Sequence, residues 1–166
     1  MSYYIIIRGP AGVGKTAIAK RLAKILDAYY ISYDNIMREN ELDIVEGDGI
    51  SSKNFIKANN IILPVIKQKE VAIIDGCFYR KEQIDHLLSK LKKRVYIFTL
   101  TADIVECLKR NKKRKNPMTK RAIIEVYNLV SRLNKGIQIE TSGRNTEEVI
   151  KVIKSRITQD GIKNID

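Results

Sequence analysis

Apolar positions along the chain change their spacing several times, and each change marks a predicted element. Tyr3 to Ile7 is an unbroken apolar run with β-branched residues that stops at Gly9, Pro10 and Gly12, the pattern of a buried strand leading into a loop. From Lys15 the period lengthens, and Ile18, Leu22, Ile25 and Leu26 fall on one face of a helix. Ala28 to Ile31 is a second short strand, and Tyr33 to Met37 opens either a helix or a loop. Residues 40–53 carry many acids together with Gly47, Asp48 and Gly49, show no period, and read as a surface loop or lid.

Helical spacing returns over Asn54 to Lys67 through Phe55, Ile61, Ile62 and Val65, with Pro64 placed to kink the end. Val71 to Ile74 is a strand ending in Asp75-Gly76, Glu82 to Leu91 a helix, and Val95 to Thr99 a strand. Ala102 to Lys109 is a helix capped by Thr101. Ile123, Tyr127, Val130 and Leu133 line one face of a long amphipathic helix, Ile137 to Glu140 is a last strand, and Thr146 to Ile157 a closing helix capped by Asn145 or Thr146. Strands alternating with helices imply an α/β chain: a mostly parallel five-stranded sheet covered by helices on both faces, three layers in all. Neither repeat nor linker interrupts residues 1–166, so a single domain is expected.

Composition narrows the class. With 166 residues and 44% apolar side chains, the chain removes roughly 70% of its unfolded surface from water and builds a core without disulfides or metals. Cys77 and Cys107 form no C-x-x-C pair and stand with no His cluster, which argues against a zinc site and for a reducing compartment. The N-terminal apolar run lacks a small-residue cleavage site, and no run approaches the roughly 18 residues of a membrane span. A cytoplasmic protein without membrane contact is expected.

The net charge of +12 is unevenly placed. Residues 80–121 hold 14 basic and 4 acidic side chains, whereas residues 1–79 hold 10 and 9, and residues 122–166 hold 7 and 6. Lys109 to Arg121 contains eight basic residues and no acid. A solvated face would spread such an excess; a tight cluster fits an anionic partner, nucleic acid or nucleotide phosphates.

Gly9-Pro10-Ala11-Gly12-Val13-Gly14-Lys15-Thr16 satisfies G-x-x-x-x-G-K-S/T between a predicted strand and a predicted helix. Its glycines allow the positive backbone angles that turn successive N–H groups inward, so residues 9–16 form an anion nest at a helix N-terminus. Lys15 is expected on the β- and γ-phosphates and the Thr16 hydroxyl on Mg²⁺. Asp75 ends a strand at the carboxyl edge of the sheet, where it serves either as the second residue toward Mg²⁺ or as a turn former.

Among phosphate-loop classes, a GTPase fails: Asn134-Lys135 is followed by Gly136-Ile137, and Phe78 stands where a D-x-x-G switch starting at Asp75 needs glycine. A motor or AAA-type ATPase generally needs more chain and a subunit-bridging arginine, and the transporter signature LSGGQ is absent. Small kinases remain. In Tyr33-Asp34-Asn35-Ile36-Met37-Arg38 a carboxylate follows the second strand, with an arginine four residues on. A carboxylate suits a hydroxyl acceptor, which has a proton to give up; the alternative is a helix N-cap.

With these motifs the chain resembles the phosphate-loop (P-loop) kinase superfamily, in the branch of small adenylate-kinase-like, polynucleotide 5′-hydroxyl and zeta-toxin-like kinases and gluconate- or shikimate-type enzymes. The resemblance implies the three-layer P-loop NTPase fold, ATP and Mg²⁺ as cofactors, Asp34 as general base and Arg38 on the acceptor's acidic group. It also implies a lid over about residues 109–121. Arg110 and Arg114, one helical turn apart, would pack on adenine and clamp the transferring phosphates. Ile137-Gln138-Ile139-Glu140-Thr141-Ser142-Gly143-Arg144 resembles the last strand and adenine-side loop, which assigns Ser142, Gly143 and Arg144 to the nucleotide.

Tyr79 and Arg80 fall on the acceptor side of the crevice, to stack on a base or to pack. His86 reads as a surface or packing residue, and Arg132 either reaches the phosphates or solvates its face. The expected activity is γ-phosphoryl transfer to a hydroxyl of a small molecule, a nucleoside or a polynucleotide 5′ end. A nucleoside monophosphate kinase, with Arg38 and Arg80 on the acceptor phosphate, is the alternative enzyme. A nucleotide-controlled nucleic-acid-binding switch, acting through the basic segment, is the alternative of another class. Residues 40–60, where acceptor choice lies, match nothing assignable.

Overall fold

In the computed structural model, which describes residues 2–162, β1 (Tyr3–Arg8) is the middle strand of a five-stranded sheet. It pairs in parallel with β3 (Val71–Gly76) on one side and β4 (Arg94–Thr101) on the other. β2 (Tyr29–Ser32) extends the sheet beyond β3, and β5 (Ile137–Glu140) extends it beyond β4, both in parallel. The order is therefore β2-β3-β1-β4-β5. Seven helices accompany these strands among the described residues: α1 (Lys15–Leu26), α2 (Tyr33–Glu39), α3 (Ser52–Ile66), α4 (Lys81–Lys90), α5 (Ile104–Lys112), α6 (Lys120–Ser131) and α7 (Thr146–Ile162). None of them is long and apolar enough to cross a membrane.

The two-residue period of β1 feeds two cores. Ile5 and Ile7 pack with Ile18 and Leu22 of α1, Cys107 of α5, Ile123 of α6 and Ile150 and Ile153 of α7. Tyr4 and Ile6 face the other way, against Met37 of α2, Phe55, Ile62 and Leu63 of α3, and Ile84 and Leu87 of α4. Burial on both faces explains why β1 and β3 read as continuous apolar runs.

Helix starts follow side-chain capping. The Ser32 hydroxyl accepts from the Asn35 N–H at 3.4 Å, so residues from Tyr33 form a helix and Asp34 stands in its first turn instead of capping it. The cap of α5 is Asp103, whose carboxylate accepts from the Glu106 N–H at 2.8 Å. Thr101, expected in that role, still belongs to β4, because the pairing with β5 runs on to Thr101 and Glu140. For α7, Asn145 and Glu148 cap each other's backbone N–H groups at 2.8 and 3.0 Å, a capping box. Pro64 lies in the last turn of α3, so the hydrogen bond it cannot donate is lost close to the helix end.

The basic segment divides between the end of α5, the connection 113–119 and the start of α6. The Asn111 side chain closes that connection at its base, donating to the Met118 carbonyl at 2.8 Å and accepting from the Met118 N–H at 3.1 Å.

Candidate active site

The carboxyl ends of β1, β2 and β3 meet at one edge of the sheet, and the turn after β1 is the phosphate loop. Gly12 sits at φ +83°, and a Cβ there would lie 2.4 Å from the Cys107 carbonyl oxygen, so only glycine fits. Gly14, at φ +102°, leads directly into α1 without a side-chain cap, which leaves the first N–H groups of the helix for an anion. Lys15 is 7% exposed and its Nζ donates across the loop to the Pro10 carbonyl at 3.0 Å. Burial alone pushes its ammonium down, but Cys77, Asp34 and Asp75 around it outweigh that and hold it above its ordinary value.

Asp75, at 2% exposure, faces Thr16. The Thr16 hydroxyl donates to Oδ2 at 2.7 Å, and the Tyr30 hydroxyl donates to the same oxygen at 3.0 Å. Oδ1 is buried with no partner. An orphaned carboxylate oxygen beside a hydroxyl is a donor set for a hard divalent cation. Among the described residues no group of three or more His, Cys, Asp or Glu could hold a metal ion alone. Magnesium fits this sparse set, since it commonly binds through one or two protein oxygens together with substrate phosphates.

Asp34 opens onto the crevice at its surface, yet protein walls shed enough water from around it to raise its carboxyl above the ordinary value. Lys15 opposes that rise most, Asp75 adds to it, and Arg114 and Arg38 oppose it. Asp34, Lys15 and Asp75 thus share one electrostatic environment. Cys77, a residue that sequence reasoning missed, completes it: burial pushes its thiol up to about 11, with Lys15 pulling the other way.

Arg110 and Arg114 stand in different surroundings. Arg110 donates from Nε to Glu106 at 2.8 Å, from Nη1 to the Val13 carbonyl and Thr141 hydroxyl at 3.1 and 3.0 Å, and from Nη2 to the Thr141 carbonyl at 3.1 Å. It ties the phosphate loop to the turn after β5, where Ser142, Gly143 and Arg144 follow and the Ser142 hydroxyl is buried without a partner. Arg114 is exposed, and its charge is felt at both Lys15 and Asp34.

On the acceptor side, Arg38 is exposed and donates to the Asn35 side chain at 2.7 Å. Tyr79 and Arg80 grip the hairpin formed by the Val45–Ile50 bridge. The Tyr79 hydroxyl accepts from the Ile50 N–H at 2.7 Å, and Arg80 donates to the Ile50 carbonyl at 3.1 Å and to both oxygens of Asp48 at 3.2 and 2.8 Å. A Cβ on Gly49 would lie 2.9 Å from the Tyr79 hydroxyl and 3.0 Å from Leu129 of α6, so the hairpin is wedged against that helix. His86 pairs with Asn59 at 3.2 Å in a polar cluster with Tyr33 between α3 and α4.

Arg8, one residue past the apolar run Tyr3 to Ile7, is the last residue of β1 and fully buried. Its guanidinium donates to the Phe78, Leu133 and Val130 carbonyls and to the Thr99 hydroxyl at 2.9–3.1 Å. Burial lowers it to about 10, with Cys77 opposing.

Residues 5–135 match the model of the family described as AAA domain. In shape the chain is similar to a gluconokinase from Sinorhizobium meliloti 1021 (13% identity, 97% of this chain and 96% of that chain, TM-score 0.76). It is likewise similar to the tunicamycin resistance protein of Deinococcus radiodurans (20% identity, 95% and 96%, TM-score 0.69). A third similar structure is shikimate kinase from Acinetobacter baumannii in complex with shikimate (18% identity, 96% and 94%, TM-score 0.63). No curated protein matches the chain.

Proposed function

The chain belongs to the AAA domain family, and within it we propose a kinase that transfers the γ-phosphoryl group of ATP to a hydroxyl of a small molecule. The convergence of Lys15, Asp34 and Asp75 on one crevice carries this reading. The family description shares its name with the larger ATPases set aside on length; the likeness in fold to a gluconokinase and a shikimate kinase supports the kinase branch.

In the transfer, the acceptor hydroxyl gives its proton to the Asp34 carboxylate while its oxygen bonds to the γ-phosphorus. The bond from that phosphorus to the β–γ bridging oxygen breaks, and its electron pair leaves with ADP. A carboxyl raised above its ordinary value is a stronger base, which suits a hydroxyl that is a poor acid. Lys15 and the amides of residues 9–16 bind the phosphates, and Arg114 holds the moving group from the side of Asp34. Thr16 and Asp75 would hold Mg²⁺, which when bound neutralises charge on the β- and γ-phosphates. Arg110, with its donors already engaged, walls the adenine site together with Ser142, Gly143 and Arg144. Residues 109–121 act as a lid that excludes water.

A hydroxylated carboxylic acid is the acceptor class we favour. Arg38 sits one turn from Asp34 with a charge to offer, and the similar structures include enzymes named for gluconate and shikimate. Tyr79 and Arg80 serve the acceptor through the hairpin they hold. A polyanionic acceptor or nucleic-acid partner is the second reading, favoured by Lys109, Lys112, Lys113, Lys115 and Lys120, which no ion pair engages among the described residues. Labelled ATP incubated with hydroxy acids, nucleosides, nucleoside monophosphates and 5′-hydroxyl oligonucleotides decides: label on hydroxy acids supports the proposal, and label on monophosphates alone replaces it with a nucleoside monophosphate kinase.

A further inference from the structure

Both hydroxyl donors to Asp75 use the same oxygen. Thr16 approaches from α1, the helix that carries the phosphate loop, and Tyr30 approaches from β2, the edge strand. Tyr30 does not stand opposite Asp75. The β2–β3 register sets Ser32 across from Asp75 and Tyr30 across from Ile73, two residues back. Ser32 is engaged at the start of α2, where its oxygen accepts from Asn35. The contact from position 30 must span roughly 6.6 Å of strand, a reach that tyrosine has and serine or threonine lacks. The ring is steadied by Lys20, whose ammonium lies 5.7 Å from its centroid and which follows Thr16 by one helical turn.

We propose that Tyr30 is a positioning residue for the divalent cation, fixing the Asp75 carboxylate so that Oδ1 is presented to the metal; this rests on the reading of Thr16 and Asp75 as the metal-holding pair. An aspartate carboxylate turns easily about its last torsion, and one hydrogen bond from Thr16 leaves that rotation soft. A second donor on the same oxygen sets the plane of the group, and the orphaned oxygen is then aimed by protein alone. Partners of this kind, one bond removed from a metal, orient its ligands and tune affinity.

The test is a Mg²⁺ titration of the full chain with a fluorescent ATP analogue bound, read as analogue affinity with no turnover required. In the unaltered chain Mg²⁺ tightens binding and Asp75→Asn abolishes the gain. Tyr30→Phe keeps the ring and should raise the Mg²⁺ midpoint about tenfold, with analogue affinity in EDTA unchanged. Lys20→Met, which leaves the hydroxyl but frees the ring, should shift the midpoint the same way by a smaller factor and provides a second arm if Tyr30→Phe folds poorly. An unchanged midpoint in both variants, beside a Mg²⁺-responsive unaltered chain, overturns the role of Tyr30 and leaves the metal pair standing. Equal weakening with Mg²⁺ and with EDTA also overturns it, because the hydroxyl would then be holding the phosphate loop. An unaltered chain that ignores Mg²⁺ overturns the metal pair and the role of Tyr30 together.

Discussion

Arg8 Nη2 donates to the Val130 carbonyl at 3.1 Å, joining the last residue of β1 to the last turn of α6 across 122 positions of sequence. The carbonyls of a helix end carry partial negative charge, so the buried guanidinium finds there the counter-charge that no carboxylate among the described residues supplies. Gly9, the first residue of the phosphate loop, follows directly. Arg8→Met would take its donor from four acceptors, of which the Val130 carbonyl keeps the Leu133 N–H at 3.2 Å, and should destabilise the fold by about 3 kcal/mol, on the scale of buried unsatisfied groups. Arg8→Lys should recover little of this, since one ammonium cannot reach acceptors fixed by a planar fork. Urea denaturation measures both; a loss under about 1 kcal/mol in Arg8→Met would contradict the capping role.

Asp34→Asn should lower kcat by about 10²- to 10⁴-fold while ATP affinity holds or improves. In the unaltered chain the acid limb of the pH–rate profile should lie above the usual carboxylate range, because the Asp34 carboxyl is raised and must lose its proton to act. Stability carries the opposite sign. Below the unfolded-state value of the carboxyl both states are protonated and Asp34 costs nothing; as pH rises from there through its folded-state value the unfolded chain ionises first, and the folded chain loses stability. Thermal melts should therefore find Asp34→Asn equal to the unaltered chain in acid and more stable at neutral pH. Equal melting temperatures at every pH would refute the raised carboxyl.

Arg110 joins the phosphate loop to Thr141 through three hydrogen bonds. Arg110→Ala should raise KM for ATP by about tenfold or more, which corresponds to roughly 1.4 kcal/mol, with a smaller change in kcat. Steady-state kinetics at saturating acceptor separates the two; a fall in kcat at constant KM would return Arg110 to the transferring phosphoryl group.

Asp48→Ala frees Arg80 and loosens the hairpin at Gly49. KM for the acceptor should rise several-fold and KM for ATP should stay put, as expected for a change in uniform binding at one subsite. Limited proteolysis should cut the variant faster within residues 43–50. Equal change in both KM values would mean that the hairpin supports the whole crevice.

Binding of a 5′-hydroxyl oligonucleotide, followed against salt, assigns the basic segment. For a small-molecule kinase, binding is weak and log K falls shallowly with log salt; a polyanion spread over Lys112 to Lys115 would give a slope near −0.7 per phosphate neutralised.

Local signals carried far in this chain. The phosphate loop, Asp75 and the alternation of strands and helices are written in spacings of a few residues, and the parallel sheet follows from them. What sequence reasoning missed is non-local. Arg8 ends an apolar run and looks like its boundary; only the arrival of α6 and the β3–α4 turn, more than 60 residues away, makes burial of its charge tolerable. Tyr30 reads as half of a strand's aromatic pair, with nothing in its neighbours to point to Asp75. The grip of Arg80 on Asp48 spans 32 positions. Thr101 has the composition of a cap, but the extra pairing of β4 holds it in the strand and passes the role to Asp103, which sequence reasoning did not single out.

The bracket of Asn111 around Met118 has a consequence for chain length. A side-chain amide that imitates a backbone rung clamps the neck of the 113–119 connection, so the register of α5 and α6 is set below the loop and owes little to what lies inside it. Residues inserted between Lys113 and Pro117 would lengthen a tether whose ends stay fixed, at a closure cost that grows only slowly with length. That stretch can take a grafted tag or reporter on the structural ground alone, provided that Asn111 at its base and Arg114, placed on the moving phosphoryl group, are both left alone.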